Sequence, residues 1–128
     1  MKRLQFILPS CFAFILLVGC GAGHPNLTSI TVSPSTATAA SANHGQVGYT
    51  ARGQFSDGSS RELSPADGLS WKTSTTAASI GSTGEATCLA IGTVTVTASA
   101  PQNLQLTVNN GVNNTSVTVL GSAQLVCQ

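Results

Sequence analysis

The sequence predicts an all-β fold in which about seven or more short antiparallel strands stack as two sheets around one core. Three observations carry that expectation. From Leu27 onward the apolar residues recur with a period of two rather than 3.6. Glycine-containing dipeptides fall between the alternating runs, where hairpins and corners need them. Strong helix formers are scarce, since only 7% of residues are charged and thirteen are glycine.

The alternation can be followed along the chain. Ile30 and Val32 flank Thr31, and Val47, Tyr49, Ala51 and Phe55 share one parity while Thr50, Arg52 and Gln54 take the other. Leu69 and Trp71 alternate with Ser70 and Lys72. Ala86, Cys88 and Ala90 share a face, as do Val94, Val96 and Ala98. Leu104, Leu106 and Val108 follow, then Val117 and Val119, then Ala123, Leu125 and Cys127. The expected breaks are Asp57-Gly58, Asp67-Gly68, Gly81 to Gly84, Ile91-Gly92, Asn110-Gly111 and Gly121-Ser122. Tyr49, Phe55 and Trp71 are the expected large core side chains, with the single tryptophan as central filler, burying roughly 150–250 Å². A tryptophan platform for a sugar ring is the functional alternative at Trp71.

A chain of 128 residues allows one domain. A net charge of +1 offers no basic footprint for nucleic acid. Low charge with 41% hydrophobic residues excludes a disordered charged tail.

The N-terminus reads as an address. Lys2 and Arg3 precede an apolar run from Leu4 to Val18. As a helix this run rises roughly 22 Å, short of the roughly 30 Å hydrocarbon core, so it reads as a secretory signal. It ends in Leu17-Val18-Gly19-Cys20, which resembles a bacterial lipobox. The resemblance implies cleavage after residue 19, acylation of Cys20 and a membrane tether, since two or more acyl chains hold firmly where one does not. Residues 20–26 form a flexible leader containing Gly, His and Pro. Gly21 stands where an Asp would signal inner-membrane retention, which favours the outer membrane. Removing the signal leaves Arg52, Arg61 and Lys72 against Asp57, Glu62, Asp67 and Glu85.

Residues 27–128 carry a second resemblance. The stretches Leu27-Thr28-Ser29-Ile30-Thr31-Val32-Ser33-Pro34, Tyr49 to Ser59 with Leu69 to Ser74, and Ala77 to Ile80 with Gly84 to Ala98 stand in one order. Together they resemble the bacterial immunoglobulin-like domain of group 2. The resemblance implies an immunoglobulin-like β-sandwich whose first strand leads into the Pro34 turn. The chain departs from that pattern after Ala98, where an insertion or extra hairpin is expected near 100–115, followed by a closing strand from Ser116 to Gln128. This excursion is the place to expect a private binding role.

Of the four cysteines, Cys11 leaves with the signal and Cys20 takes lipid. Cys88 and Cys127 share parities with apolar neighbours and lie in an oxidising compartment, so a disulfide between them is expected. Free buried thiols are the alternative. Both cysteines follow Trp71, unlike the antibody-type bridge, whose cysteines flank the tryptophan. His24 and His44 lack paired-ligand spacing with them, so no metal site is expected.

No residues assemble into a catalytic pattern. There is no glycine-flanked serine elbow with a histidine and no phosphate-cradling loop with its lysine. Asp57 and Asp67 precede glycine, which is turn chemistry. Asp57, Asp67 and Glu85 would bind Ca²⁺ only if folding gathered them, and no contiguous loop carries enough carboxylates. Arg61 and Glu62 read as a surface pair, and His44 as a solvated loop residue. The expected function is therefore a non-catalytic, cofactor-free, lipid-anchored module of the cell envelope that binds a protein or glycan. A structural spacer or assembly subunit without a ligand is the alternative.

Overall fold

The computed structural model describes residues 25–104 and 117–128. The signal, Cys20 and the body of the expected excursion lie outside the described residues. Among those described, ten strands and one short 3-10 turn form an all-β molecule.

Three hydrogen-bonded sheets share one core. In the first, β1 (Leu27–Ser33) pairs antiparallel with β4 (Thr50–Phe55), and β5 (Ser60–Glu62) lines the other side of β4. In the second, β3 (Gln46–Gly48) and β7 (Ala78–Ile80) flank β8 (Glu85–Cys88). The third runs β2 (Thr36–Ala39), β10 (Thr118–Cys127), β9 (Gly92–Pro101) and β6 (Ser70–Thr73). Only Tyr49 separates β3 from β4, and its N–H donates to the Gly84 carbonyl at 2.8 Å. The first two sheets are thus joined through one nearly continuous stretch.

Alternation explains the burial. Along β9, Val94, Val96, Ala98 and Ala100 point inward while Thr93 and Thr95 face water. Ala51 and Phe55 on β4, Ile30 and Val32 on β1, and Leu125 and Cys127 on β10 face the same core. Tyr49 and Phe55 are buried, as the parity predicts. Ala90 is exposed, because β8 ends at Cys88.

Two expectations need correction. Among the described residues pairing is antiparallel except between β2 and β10, which run parallel from Thr36↔Gln124 to Ala39↔Cys127. The cause is topological. After the cis Ser33–Pro34 peptide the chain crosses to the four-stranded sheet, and there it lies beside the last strand in the same direction. Gly121-Ser122 is not a break either, because both residues lie inside β10. A Cβ at Gly121 would collide with the Ile30 carbonyl of β1, so glycine there allows close strand approach and marks no turn.

Turns fall where Asp57-Gly58 and Gly81 to Gly84 suggest, with Gly58 and Gly84 at positive φ. Asp67-Gly68 closes the 3-10 turn Pro65–Asp67, with Gly68 in the left-handed region. The Asp67 carboxylate accepts the Ser64 N–H at 2.9 Å.

Candidate binding groove

The groove arises where two sheets end side by side. β6 is the outermost strand of the four-stranded sheet and β7 the outermost strand of its own. The connection between them, residues 74–77, is held locally. Ser74 N–H donates to the Thr95 carbonyl at 3.0 Å, and Thr95 N–H donates to Ser74 Oγ at 2.9 Å. Ala77 N–H donates to Thr75 Oγ1 at 3.2 Å, and Thr73 Oγ1 donates to the Ala78 carbonyl at 3.1 Å. These bonds fix β6 against β7 at one end and leave a solvent-open groove of about 540 Å³ along them.

Trp71, Ala78, Ile80 and Leu89 supply its apolar lining, and Lys72, Thr76 and Ser79 are among its polar residues. No hydrogen bond from another described residue reaches the Trp71 indole N–H, the Lys72 amine or the Thr76 and Ser79 hydroxyls. Leu89 is 48% exposed, a large apolar side chain left at the groove.

The open side of β6 can be read from its pairing. Ser70, Trp71, Lys72 and Thr73 face Ser99, Ala98, Thr97 and Val96 of β9. Because Ser74 and Thr95 are hydrogen bonded, antiparallel alternation makes Lys72 and Ser70 bond to β9 as well. Trp71 and Thr73 then direct their N–H and C=O groups away from β9, toward the groove, and among the described residues no other backbone hydrogen bond reaches them.

Trp71 corrects an expectation. It is half-buried against the edge of the core, not its central filler. Its position on an outermost strand is the reason, since among the described residues one flank has no neighbouring strand to cover it. Gly84, at φ +86°, makes room for the ring: a Cβ there would lie 3.1 Å from Trp71 Cε2 and Cζ2. The centre of the core belongs to Tyr49, Leu125, Val94 and Val96.

The expected disulfide is present. Cys88 and Cys127 are bonded with their Cα atoms 5.6 Å apart, tying β8 to the end of β10. Both are buried.

Ionisable groups serve the turns. Arg61 does not pair with the Glu62 carboxylate as the sequence suggested; it forms a two-pronged pair with Asp67, Nη1 to Oδ2 at 2.9 Å and Nη2 to Oδ1 at 2.8 Å. The fork geometry of a guanidinium suits a carboxylate six residues on better than the adjacent side chain, which strand alternation sends to the other face. The guanidinium also lies 5.3 Å from the Phe55 ring centroid. Arg61 holds the Asp67 carboxyl below its usual range. Asp57 is lowered by the Ser59 hydroxyl and then the Ser59 N–H, within its own turn. Among the described residues no group of three or more His, Cys, Asp or Glu is placed to hold a metal ion, so Asp57, Asp67 and Glu85 are not gathered.

The groove itself was not legible in the sequence. Leu89 at the end of an alternating run was the one signal, an apolar residue just past a strand end. No protein-family model and no curated protein matches the chain.

Proposed function

We propose that this chain is a non-catalytic binding module of the bacterial cell envelope, tethered by lipid on Cys20 and built as an immunoglobulin-like sandwich of the group 2 type. The observation that carries the binding role is the open groove beside β6, where Trp71 and Leu89 stay accessible and no hydrogen bond from another described residue reaches several polar atoms. An exposed apolar lining rimmed by polar groups is a common mark of a binding surface. The groove's described lining includes an amine and hydroxyls, and among those residues no carboxylate or imidazole stands to activate them, which favours binding over catalysis.

The sandwich reading draws support from the sheet arrangement. β1, the β3–β4 stretch, β8 and β7 can be taken as one layer, and β2, β10, β9 and β6 as the other, with the disulfide between them. The envelope reading draws support from Leu17-Val18-Gly19-Cys20 after an apolar run, and the outer membrane from Gly21.

The test is capture by the full-length, membrane-anchored protein from envelope protein extracts and on a glycan panel, with Trp71→Ala as the comparison. A specific partner lost in the variant is expected. Consistent absence of any partner would favour the spacer role instead.

A further inference from the structure

We propose that β6 is a strand-addition site that takes an extended peptide with an acidic residue between two apolar ones. This rests on the binding-module reading and names its partner class. The backbone supplies the template: Trp71 and Thr73, two residues apart, each present an N–H and a C=O on the open side of the sheet. An unpaired strand edge of this kind pairs readily with another extended chain.

Side-chain placement then dictates the guest. An added antiparallel strand bonding to Trp71 and Thr73 sets its intervening residue opposite Lys72. Opposed residues share a face, so that intervening side chain meets the Lys72 amine, which has no ion-pair partner among the described residues. A carboxylate there satisfies it. The two flanking residues lie on the Trp71 and Thr73 face, above the groove lined by Ala78, Ile80 and Leu89. Apolar side chains fit that lining.

The same geometry disfavours a second copy of this chain. Antiparallel pairing of two β6 strands that uses Trp71 and Thr73 of both copies sets Lys72 directly opposite its counterpart, and like charges directly opposed destabilise a sheet.

The experiment uses the full chain in detergent micelles and a capped peptide, Ser-Thr-Val-Glu-Val-Thr-Ser, with a second peptide carrying Lys in place of Glu. Binding is read by Trp71 fluorescence and by amide exchange. The Glu peptide is expected to bind and to protect the Trp71 and Thr73 amides. Lys72→Glu is expected to weaken the Glu peptide and favour the Lys peptide, each by about tenfold. Thr73→Pro removes one edge donor without touching the β9 ladder and is expected to abolish binding. Thr73→Val, which keeps that donor, retains it. A Glu peptide that fails to bind, binds without protecting those amides, or ignores Lys72→Glu overturns the proposal. Capture of an envelope partner or glycan undiminished by Thr73→Pro would overturn this site while leaving the binding-module reading intact.

Discussion

The Tyr49 hydroxyl donates to the Gln124 carbonyl at 3.0 Å, reaching from the single residue between β3 and β4 into β10. Tyr49 is among the largest fully buried side chains, so its ring fills the core while its polar tip fastens one sheet to another.

Tyr49→Phe should therefore cost about 1 kcal/mol, because the ring's packing is kept and one partly buried bond is lost. Burial also raises the Tyr49 pKa above its ordinary 10.0. The neutral phenol is the favoured folded form, so its contribution is fully present below pH 10 and declines as pH rises through the folded value. Urea titrations of both proteins at neutral and alkaline pH check this: the variant should lose less stability than the parent as the solution becomes alkaline.

The Arg61–Asp67 pair predicts the acid limb. Asp67 is held below its ordinary 3.8, first by the guanidinium. Its contribution is present above that ordinary value and is lost as pH falls through the lower folded one. Asp67→Asn should flatten stability against pH in the acid range while leaving the melting temperature at high pH slightly lower. Arg61 is half exposed, so the effect is modest. Thermal melts from neutral pH down to about pH 2 would show it, and parallel curves for the two proteins would contradict it.

Gly84 and Gly58 allow a matched comparison. Both sit near φ +85°, at +86° and +84°, yet a Cβ at Gly58 meets nothing while one at Gly84 meets the Tyr49 carbonyl and the Trp71 ring. Gly58→Ala should cost about 1 kcal/mol from backbone strain alone. Gly84→Ala should cost about 1–3 kcal/mol more and shift Trp71 emission, because the ring must move. Equal losses in denaturant titrations would mean the contact carries nothing.

The Cys88–Cys127 bond closes a loop with a sequence separation of 39. Replacing both with alanine should lower stability by about 4 kcal/mol on the chain-entropy account. Denaturant midpoints of the oxidised protein and the double variant measure it.

Cys20→Ala tests the tether suggested by Leu17-Val18-Gly19-Cys20. The variant should move from the membrane fraction to the soluble fraction and lack acyl mass. Retention on membranes would argue for a different attachment.

The all-β class and most strands were legible because half-buried strands impose a two-residue period, as Val94, Val96 and Ala98 on β9 do. The disulfide was legible because Cys88 and Cys127 sit on inward parities. Parity reports which face a residue takes, not which strand lies beside it. Trp71 therefore read as central although its strand is outermost, and the parallel β2–β10 pairing was invisible. Gly121 misled for a related reason: a glycine for close strand approach reads like a glycine for a turn until the neighbouring strand is known. The groove depends on where two sheets stop, which no local spacing encodes.

The bond between Cys88 and Cys127 bears on how the molecule meets mechanical load. A pull applied between Leu27 and Gln128 passes directly from residue 88 to 127, so everything threaded between them is shielded from stretching. At about 3.3–3.6 Å per extended residue, this withholds on the order of 130 Å of contour length from extension. Only the stretch from Leu27 to Cys88 and the last residue would then carry the load, while β9 and β10 up to Cys127 would be spared it.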